Sequence, residues 1–266
     1  MPVVYFGHLA IMLFRVTPIR LDSNLIRNCR RNSWLPGLIA CLFTMLAPLS
    51  AASGPEPPEG FAALFDGKTL AGWKGLVENP IKRAAMSPEE LAEAQKKADQ
   101  RMRAHWKVVD GVLEFDGKGD NLCTDRDYGD FELYVDWKIL EGGDSGIYLR
   151  GSPQVQIWDT RFEKYRRHGN DKGSGALWNN KIHPRFPLVN ADLPVGQWNT
   201  FYIKMVGDRV TVKLNGKLVT DQAVMENIWD RSRPIDPRGQ IELQSHGNRL
   251  WFRSIYVREL DGATAP

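Results

Sequence analysis

Asp130–Leu140 reads DFELYVDWKIL, and its two alternating faces decide the fold. Phe131, Leu133, Val135, Trp137 and Ile139 fall on one side; Glu132, Tyr134, Asp136 and Lys138 fall on the other. A period of two over this length is the pattern of a strand with one buried face. Outward from it, short runs rich in Val, Ile, Phe, Tyr and Trp sit between Gly, Asp, Asn and Pro clusters. The spacing predicts strands over Trp106–Val109, Val112–Phe115, Phe131–Leu140, Gly146–Arg150, Val155–Trp158, Asn199–Val206, Arg209–Leu214, Gly239–Gln244 and Leu250–Glu259. Val206-Gly207-Asp208-Arg209 and Leu214-Asn215-Gly216-Lys217 read as hairpin turns, the second carrying the Asn-Gly pair suited to positive φ. About ten strands at this spacing predict an all-β fold, a two-sheet jelly-roll sandwich.

One inserted surface helix is expected over 87–104. Ser87-Pro88-Glu89-Glu90 supplies an N-cap, a proline at the first helical position and a capping-box glutamate. The residues that follow are rich in Ala, Glu, Lys and Gln, with few apolar positions.

The chain has 266 residues, 42% hydrophobic and 25% charged, which excludes collagen-like and mostly disordered readings. The net charge is +3. Within residues 1–52, Arg15, Arg20, Arg27, Arg30 and Arg31 oppose Asp22, giving +4, so 3 minus 4 leaves −1 for the rest. A near-neutral body lacks the basic field of a nucleic-acid binder. Arg27, Arg30 and Arg31 precede an apolar run, Trp34–Leu49, and the small residues Ser50-Ala51-Ala52-Ser53 follow it. That order predicts a secretory signal peptide within 1–52, cleaved near Ala52. The run is broken by Pro36, Gly37 and Pro48, so no stable membrane span is expected after its removal. The protein is therefore expected to be exported, to the periplasm or beyond. Residues 53–60 read as a linker, 61–260 as the jelly-roll domain and 261–266 as a tail. Cys123 would be the one cysteine left in the mature chain, so no internal disulfide is expected.

Several predicted strands carry amides and aromatics on their polar faces instead of the usual Lys and Glu. Ile241 and Leu243 oppose Gln240, Glu242, Gln244 and, if the strand persists, His246; Val155 and Ile157 oppose Gln154, Gln156 and Trp158; Ile147 and Leu149 oppose Tyr148 and Arg150. Planar donors and acceptors beside aromatic plates suit a sugar, whose hydroxyls ring apolar C–H faces. Gly143-Asp144-Ser145-Gly146 matches the nucleophile segment of trypsin-like proteases, but no histidine stands in a corresponding upstream segment, so it reads as a glycine-permitted turn bringing Asp144 to a strand mouth. His168 and His183 fall in a long Lys-, Arg- and Gly-rich loop and read as loop residues.

Phe65-Asp66-Gly67-Lys68-Thr69-Leu70-Ala71-Gly72-Trp73 resembles the opening motif of the 3-keto-disaccharide hydrolase domain family. Asp144-Ser145-Gly146-Ile147-Tyr148-Leu149-Arg150, Gln154-Val155-Gln156-Ile157-Trp158-Asp159, Gly196-Gln197-Trp198-Asn199 and Ile241-Glu242-Leu243-Gln244-Ser245-His246-Gly247 follow in the family's order. The resemblance spans Gly60 to Leu260. It implies a concanavalin-like or glucanase-like jelly roll and cleavage of glycosides already oxidised at C3, oxidised disaccharides or glucosides. On that reading His246 or Glu242 is the base or a metal ligand, and Asp144 and Asp159 orient the site or donate a proton. Arg150 and Gln156 hold the keto oxygen and hydroxyls, Trp158 stacks on a ring, and Tyr148, Gln154 and Gln244 complete the binding face. A donor or a divalent metal ion could stabilise the enolate. The same aromatic–amide face would also serve a non-catalytic, lectin-like carbohydrate-binding module or a surface interaction protein.

Overall fold

The structure, a computed structural model, describes residues 56–260. The expected signal segment, residues 1–52, lies outside the described residues, as does the tail 261–266. In chain order the elements are β1 (Ala62–Ala63), β2 (Trp73–Gly75), α1 (Pro80–Ala84), α2 (Pro88–His105), β3 (Trp106–Val109), β4 (Val112–Phe115), β5 (Leu122–Thr124) and β6 (Phe131–Ile139). Then come β7 (Asp144–Leu149), β8 (Ser152–Trp158), β9 (Asn199–Val206), β10 (Arg209–Leu214), β11 (Lys217–Val224), β12 (Glu242–Leu243) and β13 (Leu250–Glu259). Between β8 and β9 two 3₁₀ turns cover Glu163–His168 and Asn170–Lys172.

The strands form two antiparallel sheets. The larger has eight strands in the order β11-β10-β9-β6-β13-β4-β3, with β1 on the far part of β13. The smaller has five, β2-β5-β12-β7-β8. β6 lies inside the larger sheet, paired with β9 and β13, and its alternation is the one expected: Phe131, Leu133, Val135, Trp137 and Ile139 are all buried. They meet Leu122, Ile147, Leu149, Val155, Ile157, Ile241 and Leu243 from the smaller sheet. Burying each such side chain contributes roughly 1.5–3 kcal/mol. A one-residue slip of β6 would exchange that whole set for Glu132, Tyr134, Asp136 and Lys138, so the register is strongly fixed.

The hairpin between β10 and β11 turns on Asn215 (φ 50°) and Gly216 (φ 80°), the positive-φ pair its sequence predicts. The helix begins as expected. Ser87 Oγ accepts from Glu90 N at 3.2 Å, and Glu90 Oε2 accepts from Ser87 N at 2.8 Å. The helix does more than ride the surface. It packs on β2, where Gly75 N donates to Asp99 Oδ1 at 3.0 Å and Gln95 Nε2 donates to Gly75 O at 2.8 Å. A Cβ on Gly75 would stand 2.3 Å from the Ala98 carbonyl oxygen, so strand and helix backbones meet there directly.

Two predicted strands need correcting, and β1, β2, β5 and β11 were not predicted at all. β7 runs from Asp144 to Leu149 and excludes Arg150, which turns out of the ladder at φ 55° beside a register shift. β12 is only Glu242–Leu243, because Gly239 bridges Tyr128 and Gln240 O accepts from Gly151 N. In β11, KLVTDQAV mixes polar and apolar residues without clean alternation, and its pairing with β10 is bulged. Among the described residues no helix is long and apolar enough to cross a membrane.

Candidate active site

The outer face of the smaller sheet is polar yet covered. β7 and β8 are in register, with Asp144 opposite Trp158, Gly146 opposite Gln156 and Tyr148 opposite Gln154. Glu242 stands opposite Tyr148 on the other side of β7. Alternation puts all of these on one face with Gln244 and His246, and Gly146 at its middle. Gln154 and Gln156 are 5% and 2% exposed, so this is not a wet outer surface. The cover is the segment between β8 and β9 at one end and α1 with α2 at the other.

Under the first cover lies a hollow of about 230 Å3 lined by Asp144, Gln154, Gln156, Trp158, Tyr165, His168, Trp178 and His246. A one-way amide relay forms its floor. Gln154 Nε2 donates to Gln156 Oε1 at 2.7 Å, and Gln156 Nε2 donates to Asp144 Oδ1 at 2.7 Å. Gly146 makes room for it, since a Cβ there would lie 2.9 Å from Gln154 Cβ. The other Asp144 oxygen faces His246 Nδ1 at 3.6 Å. Burial pushes the Asp144 carboxyl above its ordinary value, against the pull of His246 and the Gln156 amide. Gln154 Oε1 is buried without a hydrogen-bond partner among the described residues, an acceptor available in the hollow.

The walls are aromatic. Trp158 is held by its Nε1–H donating to Gly173 O at 3.0 Å, and Trp178 meets it edge-on at 5.1 Å. The Arg185 guanidinium lies 3.4 Å over the Trp178 ring. Arg167 Nε donates to His168 Nε2 at 3.0 Å, so a neutral His168 carries its proton on Nδ1 and is a donor there. Tyr165, His168 and Trp178 are the site residues that sequence reasoning missed; His168 was read as an ordinary loop residue. Their segment is tied to β8 as a near-strand: Gln156 N donates to Ala176 O at 2.9 Å, Gly175 N to Gln156 O at 2.8 Å, and Leu177 bridges Val155. The available signal was the aromatics Phe162, Tyr165, Trp178 and Phe186 in a stretch rich in Lys, Arg, Asn and Gly.

The remaining predicted residues lie elsewhere. Glu242 and Tyr148 line a second hollow of about 660 Å3 with Asn121, Trp229 and the inner side of α2. Burial pushes Glu242 up to about 7 and Tyr148 up to about 12. Gln244 lies between the hollows on the same face, its Oε1 unpartnered. Asp159 enters neither hollow. Its oxygens accept from Gly142 N at 3.0 Å and Arg161 N at 2.9 Å, capping turns. Arg150 is a correction as well. Its guanidinium donates to Gly129 O at 2.8 Å, Gly207 O at 2.8 Å and Asp130 Oδ1 at 2.5 Å, joining the end of β7 to the larger sheet, away from the hollow at Asp144. The expectation failed because the chain leaves the strand before position 150, so alternation no longer sets its direction.

As for a metal ion, among the described residues no three His, Cys, Asp or Glu side chains gather into a ligand set. Asp144 and His246 alone fall short of the three or four donors a protein site supplies.

Two antiparallel sheets, the smaller with a roofed amide–aromatic face, define a two-sheet jelly roll. The chain belongs to the 3-keto-alpha-glucoside-1,2-lyase-like domain family, whose sequence model matches residues 60–258. It is 24% identical to the 3-keto-disaccharide hydrolase of Bacteroides thetaiotaomicron, over 81% of this chain and 83% of that one. Two crystal structures of Parabacteroides distasonis proteins assigned to the glycosyl hydrolases share the fold. One has TM-score 0.56 at 21% identity, covering 76% of this chain and 95% of its own. The other has TM-score 0.51 at 27% identity, covering 71% of this chain and 99% of its own.

Proposed function

We propose that the protein cleaves 3-keto-glycosides at the anomeric carbon, by elimination followed by addition of water. A ketone at C3 acidifies the C2 proton. Removal of that proton gives an enolate, and the group on C1, now β to it, leaves with the bonding pair. Water then adds across C1 and C2, its oxygen to C1 and a proton to C2, so the net change is hydrolysis.

His246 is the base in this reading. Asp144 faces its Nδ1 and steadies the imidazolium after proton transfer, while the Gln154–Gln156 relay fixes the carboxylate. The His168 Nδ1–H is the donor for the enolate oxygen, and the unpartnered Gln154 Oε1 accepts from a ring hydroxyl. Trp158 and Trp178 supply apolar plates for the ring. The proton taken from C2 passes to the departing oxygen, and the proton added at C2 comes with the water.

One observation carries this choice: the acids do not share a hollow. Glu242 stands opposite Tyr148, and Asp144 is four residues before Tyr148 in β7, a backbone offset of about 13 Å at the strand rise. Each opens into its own cavity. Direct two-carboxylate hydrolysis needs carboxyl groups roughly 5–9.5 Å apart across one bond. Elimination from a keto-sugar needs one base and an oxyanion donor, which is what the smaller hollow holds. A binding module needs no buried carboxylate aimed at an imidazole.

The test is product release from 3-keto-trehalose and from methyl 3-keto-glucoside. In deuterated water the released 3-keto-glucose acquires deuterium at C2. Release without that label would point to direct displacement at C1, and no release from either substrate would end the proposal.

A further inference from the structure

The hollow beside Glu242 is not used by this chemistry, yet it has the features of a ligand site. At about 660 Å3 it falls within the roughly 300–1,000 Å3 of small-molecule sites, whereas the 230 Å3 at Asp144 falls below it. A substrate longer than one ring must therefore extend out of the smaller hollow. The two cavities adjoin on one sheet face: Tyr148 lines the larger, Gln154 the smaller, and they are cross-strand partners.

Two groups in the larger hollow lack an internal explanation. Glu242 is a carboxyl 97% buried, on a strand face, and the hydrogen bond it accepts, from Asn121 Nδ2, is long at 3.4 Å. A buried acid so weakly satisfied is costly unless a ligand completes its bonding. Trp229 is 40% exposed at the rim, and its indole is fixed by Nε1–H donating to Gly151 O at 2.6 Å. An exposed, fixed indole is an apolar plate at a polar mouth. A plate beside a buried carboxyl able both to donate and to accept suits a saccharide ring.

Resting on the reading above, we infer that the larger hollow seats the second sugar ring of the substrate, stacked on Trp229 with a hydroxyl bonded to Glu242. Glu242 is then a recognition group for the departing sugar and takes no part in proton transfer at C2. The leaving group that the site selects is a pyranose, in preference to a small alkyl group.

Two readouts separate this inference from the reaction. The first is binding, measured calorimetrically with unoxidised trehalose and methyl α-glucoside, so that no turnover is involved. Wild type is expected to bind the disaccharide about tenfold more tightly. Trp229→Ala and Glu242→Ala should each erase that margin, while Trp229→Phe, which keeps a plate, should retain most of it. Equal affinities in wild type, or a margin that survives both alanine variants, would overturn the subsite. A Phe variant as weak as Ala would overturn stacking in favour of the Gly151 contact. The second readout is the ratio of kcat/KM for 3-keto-trehalose to that for methyl 3-keto-glucoside, expected to fall about tenfold in Trp229→Ala. An intact binding margin in a wild type that turns over neither keto-sugar would refute the reaction and uphold the subsite.

Discussion

Asp144 presents one carboxylate oxygen to His246 Nδ1 at 3.6 Å and the other to Gln156 Nε2 at 2.7 Å. Asp144 and Gln156 are placed by the β7–β8 register, and His246 follows the Gln244 N–H bond to Gly146 O just past β12. Exchange of either partner should leave the core untouched. His246→Ala and Asp144→Asn are each expected to lower kcat on a 3-keto-glucoside by about 10²–10⁴-fold, the usual worth of a positioned acid–base group, with melting temperature within a few degrees of wild type. Full turnover in both variants would remove the pair from the chemistry.

The acid limb of the rate profile should carry the mark of burial. The Asp144 carboxyl is held above its ordinary value, so activity should begin to fall at a pH above the usual carboxylate range as the pair takes up protons. A log kcat against pH plot that stays flat down to pH 4 would show that Asp144 is not needed as a carboxylate.

Gly146 is expected to tolerate no side chain. The added methyl of Gly146→Ala would lie 2.9–3.0 Å from Gln154 Cβ, Cγ and Cδ, forcing that side chain off the Gln156 amide. Overpacking of this kind costs about 1–3 kcal/mol. Turnover should drop well beyond what the lost stability explains, because the relay to Asp144 is broken. Kinetics and a denaturant curve on the same preparation would check this; a stable variant with wild-type kcat would argue that the relay is dispensable.

Arg150 should behave as a structural residue. Its side chain is 2% exposed and bonded to Asp130 and two backbone carbonyls. Arg150→Met leaves both carbonyls without this donor and Asp130 with the Gly207 N–H but no paired cation, and breaking such a pair costs about 3–5 kcal/mol. Urea unfolding is the measurement, and a loss below about 1 kcal/mol would contradict the assignment.

Glu242 should make stability depend on pH. Its folded value of about 7 stands above the 4.5 of the free side chain. Between those values the folded state binds the proton more tightly than the unfolded state. Stability is therefore full below about pH 4.5 and declines as pH rises through 7. The shift corresponds to about 3 kcal/mol. Glu242→Gln should flatten this part of the stability profile and be more stable than wild type above pH 7. Parallel profiles for the two proteins would refute it.

Much of this was legible in the chain because period two is strict where one sheet face is buried. Phe131–Ile139, Asn199–Val206 and Arg209–Leu214 were readable end to end, as was the capping box at Ser87. Gln154, Gln156 and Trp158 followed from alternation, whereas Asp144 was read at a glycine turn and His246 lay on the same face only if its strand persisted, and the strand ends at Leu243. Alternation stopped being a guide where the backbone left the ladder. Arg150 turns away at positive φ, and Asp159 lies one residue past the strand. Very short strands such as Ala62–Ala63 and Leu122–Thr124 show too few residues for any period to emerge. Tyr165, His168 and Trp178 reach the site through a loop whose path is fixed by backbone bonds to β8, contacts that no local pattern encodes. Nor did the sequence reveal that Glu242 and Asp144 open into separate cavities.

The Gly75–Ala98 junction bears on how this scaffold can diversify. There the helix is seated main chain against main chain, so its position does not depend on the side chains it turns toward Glu242. Lys97 and Arg101 can be exchanged for other residues without unseating the helix, and related chains could acquire new sugar preferences by repainting a wall that stays where it is.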